Sequence, residues 1–93
     1  MSKVKLKGYV IASDEHLPGI EAELPKHIEL TRQEQGCLVF QASQDPKNKN
    51  RFDVYEEFSD RESFEAHQDR AKASRWGIVS ANLEKHYHIS EGA

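Results

Sequence analysis

A chain of 93 residues makes one domain with room for a modest core. Its net charge of −3, with basic residues scattered, argues against a nucleic-acid or anionic-membrane partner. With 31% charged residues the surface is well solvated, and no apolar run nears the roughly 20 residues of a membrane span. The single cysteine, Cys37, allows no internal disulfide, and the opening MSKVKLKGYV has no signal-peptide h-region, so a cytoplasmic protein is expected.

Residues 3–13 alternate, with Val4, Leu6, Gly8, Val10 and Ala12 on one face and Lys3, Lys5, Lys7, Tyr9 and Ile11 on the other. That is a strand with a core side. Gly8 leaves a gap there, to be filled by a bulge, a close helix or a ligand. Residues 15–35 read as a helix with the stripe Leu17, Ile20, Leu24, Ile28 and Thr31. Ser13 or Asp14 can cap it, Pro18 suits its first turn, and Pro25 bends it or divides it in two. Gly36 is a stop signal. Residues 37–43 form a strand with Leu38, Phe40 and Ala42 on one face, and Cys37 is expected as a small buried hydrophobe. The QDPKNKN stretch at 44–50 is turn chemistry joining two antiparallel strands.

The strand at 51–58 sets Phe52, Val54, Glu56 and Phe58 on one face and Asp53, Tyr55 and Glu57 on the other. A carboxylate in that apolar row has to be paired, hydrogen-bonded or protonated. Ser59-Asp60-Arg61-Glu62 has capping-box spacing and opens a helix at about 60–73. Phe64, His67, Gln68 and Ala71 share one stripe of it, with a histidine where leucine would suit a plain core. A short helix at about 75–81, with Ser74 as cap, precedes a last strand at about 83–89.

The order β-α-β-β-α-β defines an α+β, ferredoxin-like fold: a four-stranded antiparallel sheet with both helices on one face. The other face is left bare, with Tyr9, Ile11 and Val39 among charged groups. A half-apolar open sheet predicts a homodimer through that face.

Three runs carry a family resemblance: E-x-G-C-L-x-F at Glu34–Phe40, Y-E-x-F-x-D at Tyr55–Asp60 and F-x-A-H at Phe64–His67. In order and spacing they resemble the antibiotic biosynthesis monooxygenase (ABM) domain family, over nearly the whole chain. The resemblance implies a dimeric α/β barrel. It also implies a range of chemistry, from oxidation of quinols or aromatic polyketides by O2 without metal, flavin or haem, to haem degradation, to isomerisation of a phosphorylated sugar. Gln35 stands where the family's E-P-G-C run has proline. The haem-degrading branch has an asparagine in its first strand, and this chain has none there.

Oxidation without a cofactor needs a substrate that supplies its own electrons and a base that makes it an anion. His67 is the expected base and Glu56 its orienting carboxylate. Trp76, Phe40, Phe58 and Tyr55 are expected as an aromatic wall, although period-two parity sets Tyr55 opposite Glu56. His27 and Arg32 are expected to hold a phenolate or phosphate oxygen. No cofactor or metal is expected; His86 and His88 share a face, but no third ligand is placed with them. The expected ligand is a small aromatic or quinol in a pocket between helices and sheet. Two other functions fit the same residues. One is an isomerase or other proton-transfer enzyme on a small carbonyl or phosphorylated compound, using His67 and His27. The other is a non-catalytic dimeric module for a small ligand. A plain buried His67–Glu56 pair that fastens helix to sheet is the structural alternative to all three.

Overall fold

In a computed structural model, which describes residues 2–92, the elements are β1 (Val4–Ile11), α1 (Leu17–Arg32), β2 (Cys37–Gln44), β3 (Arg51–Phe58), α2 (Arg61–Ala73), α3 (Arg75–Val79) and β4 (Glu84–Glu91). The strands form one antiparallel sheet in the order β2-β3-β1-β4. This is the α+β, ferredoxin-like arrangement, with β1 in the middle. Among the described residues, no helix is long and apolar enough to cross a membrane.

Alternation sets the two layers. Val4, Leu6 and Val10 of β1 and Phe52, Glu56 and Phe58 of β3 are buried under the helices. From α1 come Leu17, Ile20, His27 and Thr31, and from α2 Phe64 and His67. The apolar core has two parts. Val10, Ala12, Leu17, Ile20, Phe52 and Leu83 make one, with Leu24, Trp76 and Val79 packed on it. Val4, Leu6, Phe58 and Phe64 make the other, against which Cys37 and Val54 pack.

Several local details depart from the sequence expectation. Neither Ser13 nor Asp14 is the N-cap of α1. The Ser13 carbonyl accepts from both His16 and Leu17 N–H, making a turn that delays the helix start to Leu17, while Asp14 accepts from Asn50. The helix runs through Pro25 as one piece and ends at Arg32, where the Gln33 and Glu34 N–H groups bond back to Leu30 and Thr31 carbonyls. His27, one position before the predicted Ile28, takes the buried place in the stripe. Leu38 is 52% exposed, because the β2–β3 register shifts between Cys37 and Val39 and leaves Leu38 as the extra residue of a bulge. α3 stops at Val79, and the Ser74 hydroxyl donates back to the Ala71 carbonyl rather than capping α3. β4 starts one residue late and runs on to Glu91.

Gly8 is required by a neighbouring strand. A Cβ there would lie 1.9 Å from the His86 carbonyl oxygen, so β4 fills the gap on β1 with its own backbone.

The cap of α2 is also shifted. The Asp60 carboxylate accepts from Ser63 N–H at 2.8 Å, whereas the Ser59 N–H donates to the Gly36 carbonyl at 2.9 Å. The Ser63 bond holds the Asp60 carboxyl below its usual range. Asp60→Ala is therefore expected to lower the thermal midpoint by several degrees, and Ser59→Ala to leave it nearly unchanged, in paired melts followed by circular dichroism. Equal losses in the two variants would contradict the Asp60 cap.

Candidate active site

The site begins with the turn after α1. A Cβ on Gly36 would come within 2.1 Å of the Ser63 hydroxyl, so only glycine lets this turn lie against α2. That contact sets Glu34 beside His67. The His67 Nδ1 lies 3.0 Å from Glu34 Oε1 and 3.3 Å from Oε2. A carboxylate accepts, so Nδ1 carries the proton and Nε2 keeps a lone pair. The Arg70 Nε donates to the same carboxylate, and its Nη2 donates to the Thr31 hydroxyl at 3.1 Å. Thr31 in turn donates to the His27 carbonyl at 2.7 Å.

Glu56 does not orient His67 in the way its face suggested. Its Oε1 is 3.9 Å from His67 Nε2, too far for a hydrogen bond, and has no other partner. Burial, with the charge of Glu34, pushes the Glu56 carboxyl up to about 7. Burial also lowers the His67 pKa, against the pull of Glu34 in the other direction. His27 is pushed down to about 3 by burial and by His67 and Arg70, so it is a neutral ring at physiological pH. That ring stacks on Trp76 at 4.7 Å between centroids, with Phe40 edge-on at 5.4 Å. Its buried Nδ1 has no partner.

These groups meet at a cavity of about 380 Å³ between sheet and helices, within the size range of small-molecule sites. Of the residues singled out from sequence, His67, Glu56, Trp76, Phe40 and His27 line it. Phe58 is one layer behind, stacked on the His67 ring at 4.9 Å. Tyr55 is on the opposite sheet face, donating to Glu57, because parity turns it away. Arg32 also lies elsewhere: its Nε and Nη2 donate to the Phe40 carbonyl at 3.1 and 2.9 Å.

Glu34, Arg70 and Tyr87 are additions to the sequence reading. Glu34 stood in the E-x-G-C run without a role, and Tyr87 could have been found from the alternation of β4. Tyr87 is 40% exposed, yet it lines the cavity, and burial together with Glu56 pushes its hydroxyl up to about 12. A second, more open groove is lined by Glu34, Arg70 and the start of α2, and His67 is the one described residue that lines both spaces. Among the described residues, no three His, Cys, Asp or Glu side chains are grouped to hold a metal ion.

The profile of the family described as antibiotic biosynthesis monooxygenase matches residues 8–77, and the chain belongs to that family. Three solved structures share its fold with a TM-score of 0.77 each. A Pseudomonas aeruginosa protein is 24% identical over 98% of this chain and 92% of its own. A candidate antibiotic biosynthesis monooxygenase from Deinococcus radiodurans is 21% identical, covering 100% and 93%. Another from Bacteroides thetaiotaomicron is 20% identical, covering 99% and 88%. No curated protein matches by sequence.

The raised Glu56 pKa makes a stability prediction. The folded state holds this proton more tightly than the unfolded chain does, so the group's contribution is full below its usual 4.5 and is lost as pH rises to about 7. Glu56→Gln keeps the shape of the protonated acid and removes that loss. In urea titrations the variant is expected to gain about 3 kcal/mol on the wild type between pH 4 and pH 8. A difference that does not change with pH would mean that Glu56 ionises as an ordinary carboxylate.

Proposed function

We propose that this protein is a cofactor-independent monooxygenase that oxidises a small quinol or polyphenolic aromatic with O2, using His67 as the base. Family membership supports monooxygenase chemistry at the level of the family. The observation that carries the residue-level reading is the fixed imidazole: Nδ1 is held by Glu34, and the ring borders an apolar cavity also lined by Glu56 and Trp76.

A carboxylate on Nδ1 stabilises the imidazolium that forms when Nε2 accepts a phenolic proton. The resulting phenolate is electron-rich and passes one electron to O2. The radical pair then joins as a C–O bond, giving a peroxide. Cleavage of the O–O bond, with the proton returned by Nε2, leaves one oxygen atom on the ring and the other as water. For a hydroquinone the balance is quinol plus O2 to hydroxyquinone plus water, and both electron pairs come from the substrate. Trp76 and Phe40 provide flat apolar walls for the ring, and Glu56, near its pKa at neutral pH, can hydrogen-bond a substrate oxygen as donor or acceptor. We further propose a homodimer through the open sheet face, where Tyr9 lies between Arg51 and His86.

Oxygen uptake with a panel of hydroquinones tests the reading, with heat-killed protein as the autoxidation blank. Saturable uptake is expected in the wild type. His67→Ala is expected to lower it by roughly a hundredfold or more, and Glu34→Gln by a smaller factor, since Glu34 acts only through the ring. Uptake that is equal in wild type and His67→Ala would exclude His67 as base. Turnover of a carbonyl substrate without O2 would favour proton-transfer catalysis instead, and binding without turnover in either atmosphere would leave a ligand-binding module.

A further inference from the structure

We propose that the substrate is an aromatic hydroxy acid, bound with its hydroxyl at His67 and Glu56 and its carboxylate at Lys72 and Lys85. This rests on the cavity and on the reading of His67 as its polar end.

The two lysines come from different elements, the last turn of α2 and β4, and both line the cavity. The chain has 16 acidic against 13 basic residues, and several of its basic side chains are paired: Lys3 with Glu57, Arg51 with Asp53, Arg61 with Glu91, Arg70 with Glu34 and Arg75 with Glu23. Lys5, Lys7, Lys26, Lys47, Lys49, Lys72 and Lys85 have no carboxylate partner among the described residues, and of these Lys72 and Lys85 line the cavity. The Lys85 ammonium is held over the cavity wall by one bond, to the Ser80 carbonyl at 3.3 Å. Two of its three donor positions are left for a ligand.

The spacing gives the ligand a length and a direction. On the sheet, Glu56 is level with Leu6 and Ile89, whereas Lys85 is level with Val10 and Phe52, four residues further along β1. That is about 13 Å along the strand, from which the long lysine side chain can reach back. On α2, His67 and Lys72 are five residues apart, about 7.5 Å along the axis. The sheet row sets a proton-transfer group at one end and the Lys85 ammonium at the other, with Val54, Trp76 and Ala71 among the apolar lining, while Lys72, about 140° round α2 from His67, stands exposed at the rim. Glu56 and Glu34 would repel a carboxylate at the histidine end, so the anion belongs with the lysines. The hydroxyl then meets the buried, unpartnered Glu56 Oε1, which a bound O–H would satisfy.

Isothermal titration calorimetry with 6-hydroxy-2-naphthoic acid and with neutral 2-naphthol tests this without requiring turnover. The acid is expected to bind at least tenfold more tightly, and added salt to weaken the acid alone. Lys72→Met/Lys85→Met is expected to remove the preference while leaving 2-naphthol binding as it was. Lys72→Arg/Lys85→Arg is expected to keep the preference, which separates lost charge from a damaged fold. Equal affinity for the two ligands, binding of neither, or a preference that survives in the methionine variant would each overturn the inference. Oxygen uptake with neutral hydroquinones that shows no gain for hydroxy acids would also overturn it, and would leave the proposed oxidation standing.

Discussion

One carboxylate, that of Glu34, ties the end of α1 to the middle of α2. It accepts from His67 and from Arg70, and Arg70 continues the chain of bonds to Thr31 on α1. Each group in this network is partly or wholly buried, so removing one leaves the others without partners in a poorly solvated place. The same contact sets the tautomer of His67 and the position of α2 over the sheet. It requires a turn that lies flat on α2, which Gly36 permits by having no side chain. Local backbone freedom, helix packing and the chemistry of the ring are thus one constraint seen at three scales.

The space above the sheet is incompletely filled. The core is split into two apolar clusters, and the gap between them contains an unpartnered carboxylate oxygen and a neutral histidine with a free ring nitrogen. A leucine at either position would pack better and would not carry the cost of an unsatisfied polar atom. Local rules of stability are broken here and kept elsewhere in the sheet, a pattern that marks functional sites.

Much of this was legible from periodicity. The alternation of Val4, Leu6 and Val10, and of Phe52, Glu56 and Phe58, identified the buried sheet face, and with it the placing of Glu56 inside; the same parity set Tyr55 outside, against its expected place in the aromatic wall. The order of the elements implied the fold. The rest had no periodic signal. Glu34 lies in a turn, where no face exists to be read, so its bond to His67 follows only from the packing of Gly36 on Ser63. Leu38 was assigned inward by a period that one bulged residue shifts. Ser59 and Asp60 each have a helix-start partner three residues on, and the choice between them is made by a hydrogen bond from a different part of the chain, Ser59 N–H to Gly36. His27 and Ile28 are adjacent on α1, and the stacking surface of Trp76 gives the histidine its buried place.

The sheet order has a further effect, on how the protein comes into being. Of the four strands β1 leaves the ribosome before the others, yet it lies in the middle of the sheet, between β3 and β4. Val4 pairs with Phe58 on one side and with Glu91 on the other, and Gly92 N–H closes on the Lys3 carbonyl. During synthesis β1 therefore has exposed backbone edges until residues far along the chain have emerged. The entropy of closing such long loops has to be met before any pairing of this strand rewards it, which favours slow folding. The lysines at positions 3, 5 and 7 put positive charge along this strand during that wait, and like charges on emerging chains discourage edge-to-edge association.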